Sequence, residues 1–436
     1  MSTITKLQVW YCGWGERWLL GTLAEGGGEL LFEYSAQAME HAAQRGLEFS
    51  PLHAQVPKVG SHHLALSGPP HFCGLPGFIA DALPDGWGML LMDRAFRKIG
   101  RDVATVTVLE RLAVVGASAM GALDFEPADP LQAQALGVVA LQELARETQR
   151  VLADQQEQTP AEQLHRLMAL GGSPQGARPK ALLRWSPSIQ RYRAEAAGED
   201  AGEPWLIKFP AQGERPEVSA IEELYARLAR FGGIEVPASR YIRLGSRHSA
   251  FGVRRFDRTH HLVQGQTHEV RVPMLSMAAL LNADFRLPAL DYENVLRATA
   301  VLTGDYRETV KAFERCVFNV LTHNRDDHAK NFAFTLGSDD RWRLSPAFDL
   351  TFSVGPGGEH STAIAGEGKL PGRAALMRVA KAGGVKPGDA QRVIAHWLEA
   401  LQPHPALLNG LGISKGTVVH MREQMQAVWR HVEAEA

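Results

Sequence analysis

The order of strand and helix patterns along the chain constrains its fold more than any other feature. Short segments with alternating apolar residues, typical of β-strands, are concentrated before Asp257, and amphipathic segments typical of helices dominate after it. The chain has 436 residues, more than one hydrophobic core usually supports. The sequence therefore predicts an α+β protein in three parts: an α/β subdomain over 1–127, a mixed lobe with a glycine-rich loop over 128–257, and a helical lobe over 258–436.

Composition and charge exclude several classes of protein. The formal net charge is −2, which gives no overall basic surface for direct binding to nucleic acid. Cys12, Cys73 and Cys316 are far apart without CxxC spacing, so neither a disulfide framework nor a zinc site is expected. No apolar run reaches the roughly 20 residues of a membrane span, and the N-terminus has no signal core. We therefore expect a cytoplasmic protein without membrane contact.

The most informative segment is HNRDDHAKNFAF, which begins at His323. Asp326 precedes Asn331 by five residues, and a further acidic residue, Asp349, ends the apolar segment that follows. Phosphoryl transfer from ATP needs a carboxylate that accepts the hydroxyl proton, and amide and carboxylate oxygens that hold Mg²⁺. Protein kinases place these groups in the same order, with the same spacing between base and amide.

The segment upstream offers the groups that a nucleotide needs. Gly171–Lys180 is a glycine-rich loop, in which glycines such as Gly176 let backbone N–H groups approach phosphate oxygens. Lys208 lies in the strand-like WLIKFP, where an apolar strand would turn a single ammonium group inward. A buried lysine needs a partner, and the next helix offers Glu222 or Glu223. Protein kinases hold the α and β phosphates with such a lysine–glutamate pair.

Several longer motifs run along most of the chain: LPGFIADALPDGWG, GGSPQGARPKA, IKFP, VRRFDR, DDHAKNFAF and LSPAFDL. Together they resemble the motifs of the HipA family of toxin kinases from bacterial type II toxin–antitoxin systems. The resemblance implies a two-lobed, protein-kinase-like fold with an extra N-terminal α/β subdomain and an all-helical C-terminal lobe. It also implies an ATP- and Mg²⁺-dependent serine/threonine protein kinase.

The resemblance assigns roles to individual residues. Asp326 matches the catalytic base, and Asn331 and Asp349 match the Mg²⁺ ligands. Lys208 matches the lysine on the ATP phosphates, and Glu222 is the better match for its partner. Val253 to Phe256 match the hinge that holds the adenine, and Asp257 matches the residue that holds the ribose. Lys180 and His328 match positions near the phosphates and the catalytic loop.

Regulation and partners are also implied by the resemblance. Ser173 matches the serine that family members phosphorylate on themselves, and a phosphate there would repel the phosphates of ATP. The chain departs from the commonest loop pattern at Gln175, where glycine is frequent. Family members typically phosphorylate aminoacyl-tRNA synthetases and are neutralised by a helix-turn-helix antitoxin. We therefore expect a protein substrate, a HipB-like antitoxin, and contact with DNA only through that antitoxin.

Simpler or different interpretations exist for the same residues. Asp326, Asp327 and His328 could form an ordinary solvated loop, and Asp349 could be the N-cap of a helix. A metal-dependent hydrolase could use Asp326, Asp327 and His328 as ligands, and Asp327 would then matter as much as Asp326. An ATP-binding co-repressor could work with an antitoxin without catalysis. The kinase interpretation, in contrast, gives Asp327 no role.

Overall fold

The computed structural model describes residues 4–27, 29–47, 64–65, 68–129, 138–172, 174–194, 202–263, 265–402 and 405–435. Contacts between Cα atoms group the chain into two compact units. The first unit comprises residues 1–216 and 242–274, and the second comprises 217–241 and 275–436. The division of the chain at residues 127 and 257 stays a prediction.

The first unit begins with a five-stranded antiparallel sheet, ordered β4-β3-β2-β1-β5. Leu7, Val9 and Tyr11 alternate inward along β1, as their spacing predicts. The apolar segments on either side of the glycines at 26–28 form the antiparallel strands β2 and β3. The strands are β1 (Lys6–Tyr11), β2 (Trp18–Gly26), β3 (Glu29–Tyr34), β4 (Leu64–Ala65) and β5 (Leu123–Glu126), with helices α1 (Ala36–Arg45), α2 (Gly77–Ala80), α3 (Gly86–Lys98) and α4 (Val108–Val115).

The rest of the first unit carries the strands that follow the glycine-rich loop. After β6 (Val138–Val139) come α5 (Leu141–Ala153) and α6 (Ala161–Gly171), and Pro160 precedes α6, where a missing N–H group is tolerated. The central strands run antiparallel in the order β11-β9-β7-β8-β6. The strands are β7 (Lys180–Ser186), β8 (Arg191–Ala194), β9 (Glu203–Lys208), β10 (Ser239–Arg243, at the boundary between the units), β11 (Ser249–Arg254), β12 (Arg258–Val263) and β13 (Gln266–Arg271).

The second unit is built mainly from helices. Phe318 and Trp397 meet edge to face in its core, 5.0 Å between ring centroids, and a Cβ at Gly232 would overlap the Trp397 ring. The helices are α7 (Glu217–Phe231), α8 (Met277–Leu281), α9 (Tyr292–Thr303), α10 (Tyr306–Leu321), α11 (Arg373–Ala382), α12 (Pro387–Ala400) and α13 (Lys415–Ala434). Within the described ranges, no helix is both long and apolar enough to span a membrane.

Short strands interrupt the helices of the second unit, so the prediction of an all-helical lobe was wrong in this detail. They pair in two small sheets, β14-β16-β17 and β15-β18. Each strand has two to four residues, too few to show an alternating pattern in the sequence. Their bounds are β14 (Met274–Ser276), β15 (Leu290–Asp291), β16 (Ala333–Leu336), β17 (Trp342–Leu344) and β18 (Thr362–Ala363).

Candidate active site

The segment His323–Asn331, here called the acidic loop, connects α10 to β16. It presents two neighbouring carboxylates in opposite directions. Asp326 projects outward, with 55% of its side chain exposed, whereas the side chain of Asp327 is fully enclosed. A carboxylate that must meet an external hydroxyl group has to be accessible, so only Asp326 meets this requirement in the present structure.

His323 begins the acidic loop with a left-handed backbone conformation (φ 58°). Its ring stacks on Phe352 with 5.2 Å between centroids, and its Nδ1 lies 3.1 Å from the carbonyl oxygen of Ser353. Burial, together with the nearby Arg325 guanidinium, lowers the pKa of His323 to about 4. The ring is therefore neutral near pH 7, and it packs as a buried side chain at the start of the loop.

Asn331 is tied directly to the residue that carries the exposed carboxylate. Its Nδ2 donates a hydrogen bond to the carbonyl oxygen of Asp326 at 2.6 Å, and its backbone N–H donates to the carbonyl of His328 at 2.8 Å. The amide nitrogen is thereby engaged, and Oδ1 is the atom that could reach a metal ion. His328 completes the group, because its Nε2 lies 4.0 Å from Oδ1 of Asp326. The structure thus brings together three residues predicted for the site.

Asp349 follows β17 in a segment without regular structure and has a left-handed backbone conformation (φ 55°). The strand before it is held in register, since Ser345 donates its N–H to the carbonyl of Ala333 at 2.9 Å. The next helical turn begins only at Pro356, so the interpretation of Asp349 as a helix N-cap was wrong. A non-glycine residue at positive φ is uncommon, and aspartate is one of the residue types that adopt this conformation most often.

Asp327 has a structural role that the kinase interpretation of the sequence missed. Its two oxygens accept hydrogen bonds from the Tyr292 hydroxyl at 2.9 Å and from the backbone N–H groups of Ser361 and Thr362 at 2.9 and 3.3 Å. His360 adds a contact of 2.8 Å through Nδ1. A carboxylate so surrounded could not join Asp326 in binding one metal ion. This geometry argues against the hydrolase alternative.

In the first unit, Lys180 and Lys208 stand directly opposite each other on β7 and β9. Residues in register on antiparallel strands point to the same face, and both lysines are nearly buried, at 5% and 6% exposure. Like charges at such positions destabilise a sheet, and buried ammonium groups are unfavourable unless anions compensate them. Lys208 also lies 5.7 Å from the centroid of the Phe251 ring.

The glycine-rich loop, residues 171–180, is anchored on the turn that starts α3. The backbone N–H of Gly176 donates to the carboxylate of Asp85, and Trp87 donates its N–H to the carbonyl of Gly176 at 3.2 Å. A Cβ at Gly86 would lie 2.5 Å from the Cα of Ala177, so the two segments approach as closely as glycine allows. Asp85 is therefore a site-forming residue that sequence reasoning missed. Its only signal was the Pro-Asp-Gly turn.

Gln175, where the chain departs from the family pattern, adds a second anchor to this loop. Its Nε2 donates to the carbonyl oxygens of Asp81 at 2.8 Å and Leu83 at 3.4 Å, and its own carbonyl accepts a hydrogen bond from Nζ of Lys180. A glycine at this position would lack both side-chain bonds. The predicted autophosphorylation residue, Ser173, lies outside the described residues.

The two glutamates proposed as partners of Lys208 differ in their surroundings on α7. Glu223 is engaged by Arg227 at 2.8 Å and by the Ser239 hydroxyl at 2.6 Å. Glu222 is buried on the same helix. Lys208 belongs to the first unit and Glu222 to the second, so their pairing stays a prediction.

The residues predicted for the adenine and the ribose lie on and just after β11. Val253 and Phe256 are half-buried there. Asp257 is 1% exposed, and its oxygens accept hydrogen bonds from Arg255 at 2.8 and 2.9 Å, from Arg258 at 2.7 Å and from the N–H of Gly121 at 2.9 Å. Burial alone would raise the pKa of Asp257, but the two guanidinium groups hold it well below its usual range. Contact with a ribose would require one of these bonds to break, so that role stays a prediction.

Comparison with known proteins identifies the family. A model described as the HipA N-terminal domain matches residues 7–126, and a model of the HipA-like C-terminal domain matches residues 172–404, more than half of the chain. This chain belongs to the HipA family. The fold is also that of HipA: the HipA of Shewanella oneidensis MR-1, solved in complex with HipB and operator DNA, superposes with a TM-score of 0.68 at 16% identity, over 98% of this chain and 97% of that one.

A curated relative of this HipA-family chain is Y4dM of Sinorhizobium fredii, which is named as a candidate kinase. The two are 26% identical over 167 residues. The match covers 36% of this chain and 39% of the relative's own length. The predicted family and the α+β fold of HipA type are thus confirmed.

Proposed function

We propose that this HipA-family chain transfers the γ-phosphoryl group of ATP, with Mg²⁺, to a serine or threonine hydroxyl of a protein. The observation that carries the proposal is the geometry of the acidic loop. There the exposed Asp326 and the amide of Asn331 are joined by a hydrogen bond, and the neighbouring Asp327 is turned inward. An accessible base beside an amide ligand is the arrangement that phosphoryl transfer needs.

The site residues of the second unit have distinct tasks in this proposal. Asp326 orients the acceptor hydroxyl group and takes its proton. Oδ1 of Asn331 and the carboxylate of Asp349 offer hard oxygen ligands, which suit Mg²⁺ because this ion keeps several water ligands of its own. When bound, Mg²⁺ neutralises charge that develops on the phosphates. His328, 4.0 Å from Asp326, shapes the space around the base.

Binding of the nucleotide is assigned to the first unit. Lys180 and Lys208 share one face of the β7–β9 pair, so the phosphates of a single ATP can contact both ammonium groups. Gly176, in the glycine-rich loop that leads to Lys180, donates its backbone N–H to the carboxylate of Asp85. We further assign Glu222 as the partner of Lys208, the segment Val253 to Phe256 to the adenine, and Asp257 to the ribose.

The biological setting of the proposed activity follows from family membership. The solved HipA of Shewanella oneidensis forms a complex with HipB and operator DNA. We propose that this chain acts as a toxin kinase, that a HipB-like helix-turn-helix antitoxin binds it, and that it reaches DNA only through that antitoxin. We also propose that it phosphorylates itself on Ser173 and acts on a protein such as an aminoacyl-tRNA synthetase.

Radiolabelled ATP tests the proposal. The purified chain, Mg²⁺, γ-labelled ATP and a bacterial cell extract are incubated, and label in protein is measured. We expect Asp326→Asn and Asp349→Asn to lower labelling by at least roughly 100-fold. Asp340→Asn is a matched control, because Asp340 also has a left-handed backbone (φ 57°) but lies in the turn between β16 and β17. Undiminished labelling by either site variant would refute the proposal.

A further inference from the structure

Asp327 lies at the centre of a buried polar cluster, yet the proposed reaction gives it no chemical step. Oδ2 accepts the Tyr292 hydroxyl at 2.9 Å and lies 2.8 Å from Nδ1 of His360, whose side chain is also almost fully enclosed. Oδ1 accepts the N–H groups of Ser361 and Thr362. Hydrogen bonds to an ionised group are stronger than those between neutral groups, so this carboxylate holds two other parts of the chain, Tyr292 and residues 360–362, against its own loop.

A second set of bonds joins the acidic loop to residues 354–369, here called the clamp segment. Thr362 donates its hydroxyl to the carbonyl of Asp327 at 2.6 Å. Arg325 donates to the carbonyl oxygens of Gly358 at 2.5 Å and of Lys369, and its own carbonyl accepts the Ser361 hydroxyl at 3.0 Å. The residues on both sides of Asp326 are therefore bound to the same segment, and the base between them is not bound to it by any hydrogen bond in the described residues.

A third set of bonds joins the cluster to the helices beneath it. Asn319 of α10 donates its Nδ2 to the hydroxyl oxygen of Tyr292 at 2.9 Å, and Asn324 donates its Nδ2 to Oδ1 of Asn319 at the same distance. Tyr292 is the first residue of α9. The acidic loop, the clamp segment and two helices thus meet through one continuous buried network, in which each bond strengthens its neighbours.

We propose that Asp327 and His360 are positioning residues, which hold the acidic loop and the clamp segment in the arrangement that directs Asp326 toward the acceptor hydroxyl. The physical reason is that catalysis tolerates little displacement of a reacting group, since a shift of about 1 Å lowers the rate by roughly 100-fold. Asp326 is exposed, and the residues on both sides of it are bound to the clamp segment, so its direction depends on the backbone that Asp327 fixes. This inference rests on the proposed kinase function.

Three variants test the inference. Asp327→Ala removes the centre of the network. Asp327→Asn keeps its shape: Oδ1 can still accept the N–H groups of Ser361 and Thr362, and Nδ2 can face the Tyr292 oxygen and an unprotonated ring nitrogen of His360. Asp389→Ala is the matched control, because Asp389 also accepts a tyrosine hydroxyl, that of Tyr306, but at the start of α12.

Two measurements are made on each variant. The first is hydrogen exchange at the amides of Ser361 and Thr362, which requires no activity. We expect at least about tenfold faster exchange in Asp327→Ala and little change in Asp389→Ala, because the acceptor of both N–H groups is lost only in the first variant. The second is label transfer from ATP. We expect kcat to fall roughly 100-fold in Asp327→Ala with KM for ATP unchanged, and to recover to within about tenfold in Asp327→Asn.

The outcomes separate this inference from the proposed function. Unchanged exchange in Asp327→Ala would overturn the inference whatever the activity. Faster exchange with a kcat within about twofold of wild type would also overturn it, because the network would then be structural only. A wild-type protein that transfers no label, even to itself, would refute the proposed function and remove the catalytic part of the inference with it, while the exchange result would still decide whether Asp327 holds the clamp segment.

Discussion

Replacement of Asp257 by asparagine distinguishes a structural carboxylate from a ribose-binding one. Asp257 is enclosed and bound by Arg255, Arg258 and the N–H of Gly121, so the substitution leaves two guanidinium groups near a neutral side chain. Removal of one partner from a buried ion pair lowers the free energy of unfolding by about 3–5 kcal/mol. For a unit of this size, such a loss lowers the melting temperature by roughly 6–20 °C.

Differential scanning calorimetry of the ligand-free protein measures this effect. The control is Asp339→Asn. It breaks the ion pair between Asp339 and Arg343, whose side chains are both about half exposed. Exposed pairs contribute only about 0–1 kcal/mol, so the control should melt within about 3 °C of wild type. A melting temperature of Asp257→Asn equal to that of the control would refute the structural role. If nucleotide affinity fell in the same variant without loss of stability, the ribose-binding role would be supported.

Two further predictions concern the loops of the site. The pKa of His323 is about 4 in the folded protein and near 6.5 in the unfolded chain, so between these pH values the unfolded state binds the proton preferentially. The contribution of His323 to the free energy of unfolding is therefore complete above pH 6.5. About 1–3 kcal/mol of it is lost as the pH falls to 4. His323→Asn should remove this part of the pH dependence of the melting temperature, and an identical profile would contradict the assignment. Gln175→Gly removes the hydrogen bonds to the carbonyl oxygens of Asp81 and Leu83. It should therefore lower the free energy of unfolding by about 1–2 kcal/mol and make hydrogen exchange at the Gly176 amide faster. An unchanged exchange rate would contradict the anchoring role.

Much of the fold was predictable from the sequence because its main elements have strong local patterns. Alternating apolar residues are typical of a strand such as β1, and the amphipathic pattern of the last segment is typical of a helix such as α13. The Pro-Asp-Gly turn before α3 was predictable from its turn chemistry. The short strands of the second unit escaped prediction because two to four residues carry no period, and only pairing with distant strands defines them.

The environment of the site residues could not be predicted from local sequence. Asp326 and Asp327 are adjacent and chemically identical, and only contacts with Tyr292 and His360, more than thirty residues away on either side, decide which of them is buried. Likewise the opposition of Lys180 and Lys208 depends on the register between β7 and β9, which the sequence does not state. Spacing along the chain indicated candidate residues, and long-range contacts determine the surroundings of each of them.

The left-handed backbone at Asp349 restricts the replacements that this position tolerates during evolution. Glycine, asparagine and aspartate adopt such a conformation at the lowest energetic cost. A single substitution to asparagine or glycine therefore keeps the backbone intact while it removes the carboxylate. Under the proposed role of Asp349 in Mg²⁺ binding, one mutation of this kind would end the reaction without straining the backbone at this position.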